Sequence, residues 1–115
     1  MLKVGIVGLR RGETYFLLNS MPNIRVTAIC DIDRDQLDFC GKRYDIPDRF
    51  TRYEEMLKSD LDTVIVATPP HLHVQQSVQA LEAGINVLSE VPAAITMEEC
   101  HRLAEAVEDS AMKYM

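Results

Sequence analysis

The sequence predicts an α/β fold: a three-layer, doubly wound parallel sheet in a single domain. Three observations carry this prediction. Short β-branched apolar runs alternate with helical segments along all 115 residues, the pattern of parallel strands joined by right-handed crossovers. The first run, Val4–Val7, has no polar position, as a strand buried on both faces requires. It leads into a glycine-bearing turn, Gly8-Leu9-Arg10-Arg11-Gly12, and then into a helical segment.

In chain order, Glu13–Ser20 forms a short helix that Met21-Pro22 ends. Ile24–Ile29 is the second strand and stops at Asp31. Asp33 caps a helix that carries Leu37, Cys40 and Tyr44 on one face, and Ile46-Pro47 breaks it. Arg49–Thr51 reads as a short edge strand, and Thr51-Arg52-Tyr53-Glu54 as a capping box for a small helix bearing Met56 and Leu57. Thr63–Ala67 is the next strong strand. Pro69-Pro70 places a proline in the first turn of a helix whose inner face holds Val74, Val78 and Leu81. Gly84 fits the position just past its end. Asn86–Leu88 is a further strand. Thr96-Met97-Glu98-Glu99 is a second capping box, and Leu103, Ala106 and Val107 extend its helix. Met112–Met115 reads as the start of a final strand, truncated at the C-terminus. There is no repeat, low-complexity tract or linker.

The length suits one compact domain, able to bury roughly two thirds of the surface its unfolded chain would expose. At 47% hydrophobic and 26% charged residues the composition is that of an ordered soluble protein. A net charge of −6 argues against a nucleic-acid partner, which needs a basic stripe, but allows an anionic cofactor held by a few local donors. No run approaches the roughly 20 apolar residues that span a membrane, and the N-terminal run, broken by Gly5 and Gly8, is not a signal peptide. Cys30, Cys40 and Cys100 are odd in number and far apart, so neither a disulfide framework nor a zinc site is expected. A reducing, cytoplasmic compartment follows.

The turn after the first strand has the context of a dinucleotide fingerprint, G-x-G-x-x-G, but not its full pattern. With Gly8 as the first glycine, Arg10 stands at the second and Glu13 at the third. Gly12 is expected to restore flexibility in a reshaped turn, and Arg10 or Arg11 to offer guanidinium donors to phosphates. The segment also reads as a plain strand–helix turn with two solvated arginines. Asp31 follows Gly8 by 23 residues, where the fingerprint places the acid that accepts from adenosine ribose hydroxyls. A carboxylate there repels a 2′-phosphate and so favours NAD over NADP, with Arg34 as a nearby counterweight. The alternative is that Asp31 only opens the turn that Asp33 completes.

Ligands of open parallel sheets sit beyond the carboxyl ends of the strands. Two segments occupy such ends: Ala67-Thr68-Pro69-Pro70-His71 and Ser89-Glu90-Val91-Pro92. His71 and His73 are two apart and share no helix face, so no metal is expected. His73 reads equally as a half-buried residue packing the helix start, and His101 as solvated.

The glycine turn, Asp31, VIVATPPHLH over Val64–His73 and ALEAGINVLSEVP over Ala80–Pro92 follow one another in order. Together they resemble the N-terminal domain of the Gfo/Idh/MocA family (glucose–fructose oxidoreductase, inositol dehydrogenase, rhizopine catabolism), over essentially the whole chain. The resemblance implies a Rossmann-type NAD(P)-binding domain over residues 1–115, in a dehydrogenase whose substrate domain this chain lacks. It implies sugar, cyclitol or related polyol substrates, bound only with that second domain, and a homo-oligomer built mostly through it. Carried over, Gly8, Leu9, Arg10, Arg11 and Gly12 form the phosphate turn, and Asp31 holds the ribose. Thr68, Pro69 and His73 line the cleft. Glu90 and Pro92 match a Glu-Lys-Pro turn beside the nicotinamide. The family's lysine is Val91 here, which donates nothing. No catalytic residue is therefore assigned in this chain. Val91 itself reads as an apolar residue packed behind Glu90. Its presence leaves two alternatives open, an NAD-dependent glycoside-cleaving relative and a non-catalytic Rossmann remnant.

Overall fold

The structure, a computed structural model, describes residues 1–115. Strands β1 (Leu2–Val7), β2 (Ile24–Cys30), β3 (Asp48–Phe50), β4 (Thr63–Val66) and β5 (Asn86–Ser89) form one sheet in the order β3-β2-β1-β4-β5. Every pairing is parallel. The β1–β2 register runs from Leu2 opposite Ile24 to Val7 opposite Cys30, with one irregularity between Val4 and Gly5. The strand order reverses at β1 and β4, which opens a crevice at their carboxyl ends. Tyr114 forms a parallel bridge with Val87, and the Ser89 N–H donates to the Met115 carbonyl. The expected final strand is thus a single bridge beside β5.

Helices α1 (Leu9–Gly12) and α2 (Arg34–Arg43) cover one face. Helices α3 (Tyr53–Met56), α4 (His73–Glu82) and α5 (Met97–Asp109) belong to the other. Alternation along the strands feeds both cores. Val4, Ile6 and Ile65 pack on the α1–α2 side with Leu9, Phe16, Leu37 and Cys40. Val7, Val64 and Val66 pack on the other with Met56, Ala80 and Leu81. Val74 and Val78 of α4 meet Leu103 of α5.

The helix expected over Glu13–Ser20 is a 3-10 helix continuing from α1. The chain must return the length of β1 in few residues. A rise of about 2.0 Å per residue, against 1.5 Å for an α-helix, covers more of that path. Asp33 caps α2 as expected, its Oδ1 accepting from the N–H groups of Asp35 and Gln36. Thr96 caps α5 by accepting from the Glu99 N–H, while Glu99 Oε1 reaches back to the Ile95 N–H. The capping box at Thr51 is not formed. Helix α3 starts one residue later, with Arg52 at its cap and no side-chain bond. Gly84, at φ 79°, terminates α4 in the left-handed conformation expected past a helix end.

Candidate functional site

A cleft of about 650 Å³ runs along the carboxyl ends of the strands, within the size range of small-molecule sites. It is lined on the β1–β2 side by Gly8, Arg10, Arg11, Asp31, Ile32 and Asp33, and on the β4–β5 side by Thr68, Pro69, His71, His73, Glu90 and Val91. No helix is long and apolar enough to cross a membrane.

At the turn, Gly8 has φ 90° and ψ 93°. A Cβ on it would lie 2.6 Å from the Ala67 carbonyl carbon and oxygen, so β1 and the loop after β4 meet here through bare backbone. Gly12 plays a different part from the one expected. It is helical, at φ −71°, and a Cβ there would lie 2.5 Å from Ile6 Cγ2. Close helix-to-strand packing, not flexibility, requires a glycine at that position. Leu9 is fully buried; its backbone, not its side chain, serves the cleft.

Asp31 sits just past β2 with both oxygens oriented. Oδ2 accepts from the Leu9 N–H and Oδ1 from the Asp33 N–H, each at 2.8 Å. Each carboxylate oxygen has a further acceptor site. The guanidinium of Arg10, with 85% of its side chain exposed, lies 3.9 Å from Asp33 Oδ2, a pairing weak enough to give way to a better partner.

On the other side, Thr68 Oγ1 donates to Gln76 Oε1 at 2.6 Å. His73 is 1% exposed, not half-buried as the sequence suggests. Its Nδ1 lies 2.8 Å from the Pro92 carbonyl oxygen and its Nε2 2.6 Å from that of Thr68. One imidazole thus ties the loop after β4 to the loop after β5. A ring with one N–H satisfies one of these carbonyls, and a doubly protonated ring satisfies both. The Tyr15 hydroxyl donates to Glu90 Oε1 at 2.5 Å. Burial and, after it, this carboxylate push the Tyr15 phenol up to about 12. Val91 is not packed behind Glu90: it is 82% exposed and lines the cleft. Pro69 and Pro92 lie at the surface, Pro92 serving through its carbonyl. His101 is exposed.

Sequence reasoning missed Gln76 and Ile32, which line the cleft, and Tyr15, which holds Glu90 from beside it. Tyr15 has no local signal, because its partner is 75 positions away. Gln76 lies on the polar side of α4 and reads as solvent-facing. Ile32 was legible: an isoleucine between two turn aspartates, 90% exposed, is an apolar wall without a partner of its own.

The Gfo/Idh/MocA family model, described as an oxidoreductase family with an NAD-binding Rossmann fold, matches residues 2–115. An uncharacterized oxidoreductase of Rhizobium meliloti is 31% identical over 109 residues, spanning 91% of this chain and 33% of the relative. A glycosyl hydrolase family 109 protein of Solibacter usitatus is 31% identical over 121 residues, spanning 93% and 28%. The crystal structure of scyllo-inositol dehydrogenase from Lactobacillus casei, with bound NAD(H) and scyllo-inositol, superposes with a TM-score of 0.93 at 27% identity, covering 100% of this chain and 35% of that one. The chain spans about a third of the length of these proteins.

Proposed function

The chain belongs to the Gfo/Idh/MocA oxidoreductase family and forms its NAD-binding domain, and on that premise we propose that it holds NAD, in preference to NADP, for an enzyme acting on a sugar, cyclitol or related polyol. The observation that carries this reading is Asp31. Its two oxygens are aimed by backbone donors and keep acceptor capacity for two vicinal ribose hydroxyls. The same carboxylate opposes a 2′-phosphate.

The remaining roles follow from position. Gly8 to Gly12 bring backbone and the Arg10 and Arg11 guanidinium groups to the pyrophosphate. Ile32 offers an apolar wall to the adenine. Thr68, Pro69 and His73 shape the middle of the cleft, with Glu90 and Pro92 at its nicotinamide end. When bound, the cofactor accepts or gives a hydride at nicotinamide C4. This chain's residues orient it, and the polyol and its acid–base group belong to a further domain of a longer, homo-oligomeric protein. The three unpaired cysteines support a cytoplasmic setting.

Calorimetric titration of the chain with NAD and NADP tests the reading. Saturable binding, tighter for NAD, is expected; a folded chain that takes up neither overturns it. A second reading keeps the cofactor and changes the chemistry to glycoside cleavage. Similarity to a glycosyl hydrolase family 109 protein favours it, as does Val91, which brings no ammonium to the reacting end. Assay of a longer protein carrying this chain on aryl glycosides, with and without NAD, separates the two.

A further inference from the structure

The dinucleotide site of a doubly wound sheet has two mononucleotide halves on either side of the strand reversal. Asp31, past β2, marks the adenosine half. The second half therefore lies over the ends of β4 and β5, where Glu90 lines the cleft as the first residue past β5. Three features set this carboxylate apart. Its Oε1 is fixed by the Tyr15 hydroxyl at 2.5 Å, a contact between residues 75 apart. Burial and the carboxylate push the phenol up to about 12, so at neutral pH it stays the donor. No lysine, arginine or histidine pairs with Glu90, and its neighbour Val91 presents an exposed apolar side chain instead of a charge. The Arg11 guanidinium acts on Tyr15 in the opposite sense, lowering its phenol, and is outweighed by burial and Glu90.

The nicotinamide ring carries a positive charge when oxidised and none when reduced. A held, uncompensated carboxylate at that end of the cleft distinguishes the two states by charge alone. We propose that Glu90, positioned by Tyr15, makes this cleft selective for the oxidised cofactor, NAD⁺, over NADH. The inference rests on the cofactor reading above and adds to it a redox-state preference set by two named residues. For a partly solvated charge pair the expected preference is about tenfold, shrinking as salt is raised.

The test is calorimetric titration of the chain at low salt with NAD⁺, NADH and ADP-ribose, which lacks the nicotinamide. The wild-type chain should bind NAD⁺ about tenfold more tightly than NADH. Glu90→Gln, isosteric and uncharged, should bring the two within about twofold while leaving ADP-ribose unchanged. Tyr15→Phe, which frees the carboxylate without removing it, should lower the ratio partway. Val91→Lys, which sets an ammonium beside Glu90, should lower it through weaker NAD⁺ binding. Equal affinity of the wild type for both redox states overturns the inference alone, as does a Glu90→Gln variant that shifts NAD⁺, NADH and ADP-ribose by the same factor. Failure of all three ligands to bind overturns the cofactor reading and the inference with it.

Discussion

The backbone N–H of Leu9 donates to Oδ2 of Asp31 at 2.8 Å. This bond joins the glycine turn after β1 to the acid after β2, so two segments 22 residues apart in sequence are held as one unit. The acid is aimed before any ligand arrives, which lowers the ordering cost of binding.

Asp31→Ala should weaken NAD binding by about tenfold or more, through loss of a bidentate charge-assisted acceptor. NADP should lose less, because the substitution also removes a like charge facing its 2′-phosphate. Calorimetry with both dinucleotides measures the two changes, and equal losses would take Asp31 out of the ribose site. The variant also orphans the Leu9 and Asp33 N–H groups, so a stability loss of about 1–3 kcal/mol in urea is expected.

Gly8→Ala and Gly12→Ala should both destabilise, and Gly8→Ala more. At Gly12 the added methyl meets Ile6 Cγ2, the branch methyl of a fully buried residue, at about 1–3 kcal/mol. At Gly8 it meets the backbone of Ala67 and Thr68 and must also hold φ 90°. Urea midpoints of the two variants give the order. A Gly8→Ala chain as stable as wild type would mean the turn is looser than its geometry indicates.

Much of this was legible in the residues, for particular reasons. The strands were readable because burial on both faces demands unbroken apolar runs such as Val64–Val66. Asp33 and Thr96 were readable because capping is local chemistry. The failures mark where local rules end. Thr51 fits the capping pattern, but a helix of only four residues was set one position later by the burial of Tyr53 and Met56. Gly12 was misread because its constraint is Ile6, on a neighbouring element. The long-range pairs of the site, Tyr15 with Glu90 and His73 with Pro92, leave no trace in spacing.

Stability should fall as pH rises from about 9 towards 12. Burial, then the charges of Asp31 and Glu54, push the Cys30 thiol from its usual 9.0 up to about 12. Tyr15 is pushed from 10.0 up to about 12, and burial raises Tyr53 as well. Each group holds its proton more firmly folded than unfolded. Its contribution is complete below the unfolded value and is lost as pH climbs through the folded one. Urea midpoints at pH 8, 9.5 and 11 should decline, and Cys30→Ala should flatten the first part of the decline, since the tyrosines titrate later. Midpoints that stay level to pH 11 would refute the shifts.

His73→Ala should be the most costly substitution at the cleft that leaves the glycines untouched. The ring is buried between two loops, so its removal leaves a cavity and strands the carbonyls of Thr68 and Pro92. A loss of about 2–4 kcal/mol is expected from the two effects together. His73→Gln, whose amide can donate to one carbonyl, should recover part of it. The consequence reaches the ligand, because Thr68 and Glu90 lie on the two loops that His73 joins. NAD binding should weaken in step with stability across the pair of variants, the alanine losing more than the glutamine. If His73→Ala unfolds at the wild-type urea midpoint, the imidazole does not hold the loops together. If it destabilises but binds NAD normally, the loops are held for the fold alone and not for the cofactor.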